Sequence, residues 1–244
     1  ATIHKNPKAH LLRWKVGEIS LYEGDIESAR REFEYLISHA SEWKDITMAY
    51  KGLGDYYLAQ GDSETALGYY ETAGKTSFQA PRDYVVYNDM GALRMNKGEY
   101  LKGFAAFCHS LGLYSESAAA RDNFNDALSF IDEKYITKGI LYEKILEEFT
   151  KTSEENIVFQ DKRCDEKSCE YAFSFQAQQF EVLPPFLITA ATASGQEAKI
   201  TNKGFNPETS VIILELDSKY KDQTLTFLFP TCQGIYYEAI ANPQ

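Results

Sequence analysis

A 37-residue internal repeat constrains the fold of this 244-residue chain more than any other feature of its sequence. Glycine recurs at this spacing in two registers, a small residue in a third, an aromatic residue in a fourth and an apolar residue in a fifth. The registers are Gly17/Gly54/Gly91, Gly24/Gly61/Gly98, Ala29/Ala66/Gly103, Phe33/Tyr70/Phe107 and Val16/Leu53/Met90. Five registers in one frame predict stacked copies of one supersecondary unit, because a single such unit cannot bury its apolar face alone.

The spacing within each copy predicts two helices joined by a tight turn. Gly24-Asp25 and Gly61-Asp62 supply the turn, since glycine tolerates a positive φ and aspartate caps the helix that follows. The small residues of the third register, such as Ala29, are expected to be buried where the two helices of a pair cross. The repeat therefore predicts antiparallel helix pairs.

Three segments of the repeat resemble the tetratricopeptide repeat (TPR) over about residues 10–115. They are KVGEISLYEGDIESARREFEYL (15–36), KGLGDYYLAQGDSETALGYYETA (51–73) and NDMGALRMNKGEYLKGFAAFCHS (88–110). Two features depart from the family. The period is 37 residues, against about 34 for the usual TPR. In the third copy, Arg94 replaces the usual aromatic residue and Gly103 replaces the usual alanine. The resemblance implies an α-solenoid whose first helices line a concave groove.

The resemblance also implies which residues face that groove. They are Trp14, Glu18 and Tyr22 in the first copy, Lys51, Asp55 and Leu58 in the second, and Asn88, Asp89, Ala92 and Asn96 in the third. A TPR that binds a C-terminal carboxylate uses several Lys, Arg and Asn residues there, and only Lys51 and Asn88 are of that kind. A protein or peptide partner with basic and apolar residues fits the set better. The alternative is that the aromatic residues pack internally and the acidic residues only solvate a helix face.

The repeat frame ends after the third copy, where Leu128 and Tyr135 stand in place of the glycines. Segments 115–133 and 135–151 are interpreted as a degenerate helical pair that caps the stack, because terminal repeats are atypical. The helical domain is therefore expected to comprise residues 1–153.

The remaining residues, 154–244, form a second domain of β-rich composition. Five runs predict strands, and residues 155–244 are expected to hold five to seven strands in a small antiparallel sandwich or barrel. The runs are Ile157–Gln160, Tyr171–Phe175, Val211–Leu216, Leu225–Phe229 and Ile235–Ile240. Turns are expected at residues 165–167, 183–185, 194–196, 202–206, 217–222 and 231–234. The predicted fold class is thus α and β in two segregated domains.

Four cysteines bear on the compartment of the protein. Cys164 and Cys169 flank a polar four-residue loop, where a disulfide is plausible and free thiols are the alternative. Cys108, beside Phe107 on a helix, is interpreted as a small buried hydrophobic residue. The sequence begins with Ala1, which fits either a processed exported protein or a trimmed chain. These features favour export to a periplasm or cell envelope, with the cytoplasm as the alternative.

Composition and motifs bear on the class of function. The formal net charge of −11 argues against a nucleic-acid binder. The sequence contains no run of 18 apolar residues, so it predicts no transmembrane helix. The four histidines, His4, His10, His39 and His109, all lie in the helical half, and the sequence lacks the common nucleotide, hydrolase and zinc-protease motifs. We therefore expect no enzymatic activity, cofactor or metal.

The first hypothesis is a non-catalytic adaptor or scaffold that binds a protein partner through the groove, in a bacterial envelope complex. The alternative is a structural building block of a homo-oligomer in which the β-domain occupies the groove. A ligand-binding or enzymatic β-domain ranks last.

Overall fold

The computed structural model describes residues 7–39, 43–77, 79–152, 157–175, 187–206 and 210–243. In these residues, eight α-helices precede nearly all of the β-structure, which confirms the predicted segregation of α and β. The helices are α1 (Pro7–Glu23), α2 (Ile26–His39), α3 (Trp43–Ala59), α4 (Ser63–Thr76), α5 (Tyr84–Asn96), α6 (Tyr100–Leu113), α7 (Ala118–Ile131) and α8 (Leu141–Glu148). The N-terminal region is a helical repeat.

Tight turns separate the helices of each pair at the three predicted glycines. Gly24, Gly61 and Gly98 have φ values of 82°, 80° and 84°, a left-handed conformation that glycine adopts without steric cost. Asp62 caps α4 by accepting a hydrogen bond from the Thr65 amide at 3.0 Å, and Asp25 accepts one from the Ser28 amide at 3.2 Å. The turn chemistry read from the sequence is confirmed.

Aromatic side chains of the second helices pack directly onto glycines of the first helices. A Cβ atom added to Gly17 would lie 2.5 Å from the Phe33 ring, and one added to Gly54 would lie 2.4 Å from the Tyr70 ring. Phe33 and Tyr70 are fully or almost fully buried, as are Ala29 and Ala66 of the small-residue register. The glycine, small-residue and aromatic registers therefore act together, because the ring of one helix occupies the space that the glycine of the other leaves open.

The segment after the third copy is helical but irregular. Helix α7 ends in a π-helical turn, Asp132–Ile136, which buries Tyr135. Helix α8 follows, and its Glu148 accepts a hydrogen bond from the Leu101 amide at 2.9 Å at the start of α6. Residues 115–151 thus contain two helices, as the interpretation of a degenerate pair required.

In the described part of the chain, nine β-strands form two sheets. They are β1 (Thr150–Lys151), β2 (Ile157–Cys164), β3 (Ser168–Phe175), β4 (Thr189–Thr192), β5 (Glu197–Ala198), β6 (Ile200–Asn206), β7 (Val211–Asp217), β8 (Leu225–Pro230) and β9 (Ile235–Ala241). One sheet has the order β1-β9-β8-β4-β5, and the other has the order β2-β3-β7-β6. Only β1 and β9 pair in parallel among the strand pairs described.

The two sheets share one apolar core. Phe173 of one sheet lies against Phe227 and Phe229 of the other, with ring centroids 4.8 and 5.1 Å apart. Leu225, Phe227 and Phe229 alternate along β8 and are all fully buried. The arrangement is therefore a sandwich of two sheets.

One predicted turn is wrong, and one lies outside the described residues. Segment 202–206 is not a turn, because it belongs to β6, which pairs with β7 along its length. Its Asn, Lys and Gly residues resemble a loop because β6 is an edge strand with an exposed face. The turn expected at 183–185 lies outside the described residues.

The four cysteines form two disulfides. Cys164 is bonded to Cys169 across the β2–β3 turn, and Cys108 of α6 is bonded to Cys232 after β8, 124 residues later in the chain. The interpretation of Cys108 as an unbonded buried residue is therefore wrong. A pairing over such a separation depends on tertiary structure, and the local sequence around Cys108 carries no sign of it.

The chain divides into two compact units. The first contains residues 1–98 and 109–124, and the second contains residues 99–108 and 125–244. The domain boundary predicted at residues 153 and 154 stays a prediction. No helix among the described residues has the length and apolar character needed to cross a membrane.

Candidate functional site

A charged network connects the second and third repeat copies in the first unit. The ammonium group of Lys51 on α3 lies 2.8 Å from a carboxylate oxygen of Asp55 and 2.8 Å from one of Asp89 on α5. The Tyr70 hydroxyl donates a hydrogen bond of 2.8 Å to Asp55. Lys51 and Asp55 are four residues apart on α3, which places them on one helix face. Of the predicted groove residues, Asp55 and Asp89 therefore both pair with Lys51.

Burial and neighbouring charges shift the pKa of Lys51 in opposite directions, and they shift the pKa of Tyr70 in the same direction. Burial disfavours the charged form of Lys51, but the attraction of Asp55 and Asp89 outweighs it and raises the pKa of the lysine. Burial also raises the pKa of the Tyr70 hydroxyl, and the neighbouring Asp55 carboxylate raises it further. The lysine is consequently charged and the tyrosine neutral at neutral pH. The formal charges of Lys51, Asp55 and Asp89 sum to one negative charge.

Asn88 also has a partner in the first unit. Its side-chain oxygen accepts a hydrogen bond of 2.9 Å from the Asn123 amide group. The neighbouring groove positions Leu58, Ala92 and Asn96 are exposed. The polar groove residues thus stabilise the repeat stack, while the surface around them is open to solvent.

The three predicted groove residues on α1 have different surroundings. Trp14 is half-buried and packs against the buried cluster that contains Phe33, while the Lys15 ammonium group lies 4.1 Å from its ring centroid. Glu18 is paired with Lys15 at 2.9 Å. Tyr22 is 94% exposed, and it is the most available of the three for a partner.

Helix α1 also presents an apolar face that the sequence analysis missed. Five large apolar side chains are exposed, with relative exposures of 48% to 94%: Leu11, Leu12, Val16, Ile19 and Tyr22. Leu12, Val16 and Ile19 follow the spacing i, i+4 and i+7, and Leu11 and Tyr22 lie beside them on the same side of the helix. We call these five residues the α1 face.

The opposite side of α1 packs against α2 and α3, with His10, Gly17 and Ser20 buried. Trp14 and Leu21 of α1 also pack on the buried cluster, so α1 has apolar residues on both sides, as a helix that is covered all round does. This pattern is visible in the sequence of Pro7–Glu23, and it is the signal that could have identified the α1 face.

The comparisons with known proteins give limited information. No family model and no curated protein matches the chain. Among solved structures, BtubC (BKLC) from P. vanneervenii is 16% identical, with a TM-score of 0.43, over 52% of this chain and 57% of BtubC. SycD, a type III secretion translocator chaperone of Yersinia enterocolitica, is 15% identical, with a TM-score of 0.42, over 55% of this chain and 88% of SycD.

The surface layer protein SbsC, domains 1–6, is 14% identical, with a TM-score of 0.22, over 93% of this chain and 33% of that structure. This chain thus spans little more than half the length of BtubC. None of the three TM-scores reaches 0.5.

Proposed function

We propose that this protein is a non-catalytic adaptor or scaffold, a TPR-like repeat protein that binds a partner protein through its first helix. The observation that carries the proposal is the α1 face, with Leu12 66% exposed and Ile19 54% exposed. A contiguous exposed apolar surface of this kind marks an interaction site in soluble proteins. Tyr22 adds an aromatic residue of the type that contributes most to binding energy in interfaces.

The chemistry around the α1 face indicates the kind of partner. Its C-terminal end is acidic, because the exposed residues Glu23 and Asp25 follow Tyr22 directly. The hydrogen bonds of Asp25 with Ser28 lower the pKa of its carboxyl group, so this residue is charged at neutral pH. The whole chain also carries a formal net charge of −11. The partner that fits is a protein segment with an apolar stripe and basic residues at one end.

The two disulfides support a proposed location. Cys108–Cys232 and Cys164–Cys169 account for all four cysteines of the chain. Disulfides of this kind persist in oxidising compartments. We therefore propose that the adaptor is exported, to a periplasm or cell envelope. Mass spectrometry of a non-reduced digest of native protein should detect both linked peptides, and free thiols at all four positions would contradict this location.

The binding proposal is tested by comparing two variants that make the same chemical change. Ile19→Glu places a charge in the α1 face, and Leu146→Glu places one at a similarly exposed apolar position on α8, which is 45% exposed. The partner is first identified by affinity capture from the native organism and mass spectrometry, and its affinity is then measured with purified proteins. Ile19→Glu should weaken binding by about tenfold or more, since charge at an apolar contact removes on the order of 1.4 kcal/mol or more. Leu146→Glu should bind as the wild type does.

Two results would decide against the proposal as stated. Equal binding by both folded variants would show that the α1 face is not the site. A wild-type dimer in analytical ultracentrifugation that Ile19→Glu converts to a monomer would show that the face joins two copies of this chain, as in the building-block alternative. Charge reversal at Asp55 and Asp89 is a poor test of binding, because it also removes both partners of Lys51.

A further inference from the structure

We propose that the second unit binds a small hydroxylated organic anion, such as a sugar acid or a sugar phosphate, in a cavity lined by Lys138, Lys199 and Lys203. The cavity has a volume of about 710 Å³ and lies where the chain passes from β5 of one sheet to β6 of the other. The segment 136–139, after α7, forms its opposite wall. This volume is in the range of pockets that hold small-molecule ligands.

The charge of the cavity is opposite to that of the whole chain. Three lysines line it, with Glu197 as the only acidic side chain among its described lining residues. The formal charge of these groups is therefore positive, in a protein whose net charge is −11. Neither Lys138 nor Lys199 forms an ion pair among the described residues. Lysine side chains that line one cavity attract a carboxylate or phosphate group.

The lysine of strand β6 is the most enclosed of the three. The Lys203 ammonium group donates a hydrogen bond of 2.8 Å to the Ile188 carbonyl oxygen, which fixes its position beside the cavity. Burial lowers the pKa of Lys203 to about 8, and the nearby Glu197 carboxylate only partly opposes this effect. An anion in the cavity would restore the charge of the lysine, because an opposite charge favours the ammonium form.

Glu197 explains why the proposed ligand carries hydroxyl groups. One of its oxygens accepts a hydrogen bond of 3.1 Å from the Thr189 hydroxyl, and the other accepts one of 3.3 Å from the Tyr142 amide. These bonds hold the carboxylate in place at the cavity wall, and the carboxylate can accept a further hydrogen bond from a ligand hydroxyl. The apolar side chains of Ile188 and Ile200 complete the lining beside these polar groups. Three lysines and one fixed acceptor match an anion with hydroxyl groups better than a simple inorganic ion.

The test uses the full chain with both disulfides intact, and glucuronate and glucose 6-phosphate as probes. Binding is measured by calorimetry and by NMR shifts of backbone amides around the cavity, such as those of Gly139 and Ala198. Either probe should bind at pH 7, whereas neutral glucose should bind much more weakly or not at all. Comparing the two probes distinguishes a carboxylate site from a phosphate site.

Variants assign the binding to the cavity. Lys203→Gln and Lys138→Gln should each weaken the affinity by about tenfold, the effect of losing one charge-assisted hydrogen bond. Lys167→Gln, at an exposed lysine of the β2–β3 turn, is the matched control and should leave it unchanged. Lys138 lies in an exposed turn, so this variant tests the site even if replacement of Lys203 prevents folding.

The pH dependence provides an independent measurement. The titratable side chains that face the cavity with Lys203 are Lys138, Lys199 and Glu197. Wild-type affinity should fall between pH 7 and pH 9 as Lys203 loses its proton, and Lys203→Gln should remove most of this decrease. The proposal is overturned if neither anion binds, if both cavity variants bind normally, or if Lys167→Gln weakens binding as much as they do.

Discussion

Two partly buried lysines, one in each unit, respond in opposite ways to similar burial. Lys51 in the helical repeat lies between two carboxylates at 2.8 Å, and its pKa is raised. Lys203 in the sandwich bonds to the Ile188 carbonyl oxygen, and its pKa falls to about 8. Burial disfavours the charge in both places, so the number of carboxylates in contact decides the outcome. Two carboxylates stabilise Lys51 as a cation, whereas for Lys203 the attraction of Glu197 does not outweigh burial.

The two units also differ in how distant parts of the chain are held together. The repeat unit depends on contacts between neighbouring helices, whereas the second unit contains the disulfide between Cys108 and Cys232, 124 residues apart. We expect the double variant Cys108→Ser/Cys232→Ser to lose about 5 kcal/mol of unfolding free energy in the loop-entropy model. Chemical denaturation monitored by circular dichroism measures this loss.

The short disulfide is the control for that prediction. Cys164 and Cys169 are separated by only 5 residues, so the double variant Cys164→Ser/Cys169→Ser should lose about 2 kcal/mol in the same model. Equal losses for the two double variants would contradict the expectation that loop length sets the difference.

The second prediction concerns the lysine of the repeat network. Lys51→Met should reduce stability by about 2–3 kcal/mol, because Asp55 and Asp89 would then face each other without a cation in a partly buried site. Thermal and chemical denaturation measure the change. Lys144→Met, which removes an ion pair with Glu147 on the surface of α8, should leave the unfolding free energy nearly unchanged.

A compensating change makes the Lys51 prediction more specific. Adding Asp55→Asn to Lys51→Met should restore part of the lost stability, since it removes one of the two unpaired charges. No recovery in the double variant would show that the loss arises from packing of the lysine stem instead.

The third prediction tests helix packing in the repeat. Ala66 is fully buried where α3 and α4 meet, so Ala66→Leu should overpack this contact and cost about 1–3 kcal/mol. Gly68→Leu on the same helix is the control, because a Cβ atom at Gly68 meets nothing within 4 Å. This control should be neutral or slightly stabilising, since leucine favours a helix more than glycine does. An unchanged melting temperature for Ala66→Leu would contradict the repeat frame.

The smallest expected effect is the pH dependence that Lys203 contributes. Its folded pKa of about 8 lies below the ordinary value of 10.5, so the unfolded chain binds more protons between these two pH values. Below pH 8 both states are protonated, and the full cost of burying the charge is present. As the pH rises from 8 to 10.5, this cost disappears and stability increases.

Comparing the wild type with Lys203→Met isolates this contribution, because other titrating groups affect both proteins alike. The stability difference should shift towards the wild type by on the order of 1 kcal/mol between pH 8 and pH 10.5. Melting temperatures measured across this range give the difference. Parallel pH profiles for the two proteins would show that Lys203 has an ordinary pKa.

The sequence by itself determined the helical repeat and most of the strand positions. Gly24, Gly61 and Gly98 lie in the predicted turns, and the residues of the Ala29 register are buried as predicted. These features are local, since a positive φ and a spacing along one helix depend on residues close in the chain. The five predicted strand runs lie within observed strands for the same reason, because alternation along a strand is also local.

The candidate sites depend on contacts that only the tertiary structure decides. Lys51, Asp55 and Asp89 were named from the resemblance, but their mutual pairing depends on how α3 and α5 lie next to each other. Strand β6 has a polar sequence that resembles a loop, and it becomes a strand because β7 supplies its hydrogen-bond partners. The pairing of Cys108 with Cys232 depends on which residues folding brings together.

The α1 face and the lysine cavity also depend on the tertiary structure. The composition of α1 shows apolar residues on two sides, yet only packing against α2 and α3 decides which side is covered. Lys138 lies on a different segment from Lys199 and Lys203, so no helix or strand spacing relates all three, and they line one cavity only because segment 136–139 lies beside β5 and β6. The periodic pattern of a helix or strand shows which of its sides is apolar. Long-range packing decides which distant side chains come together, and it leaves no periodic pattern in the sequence.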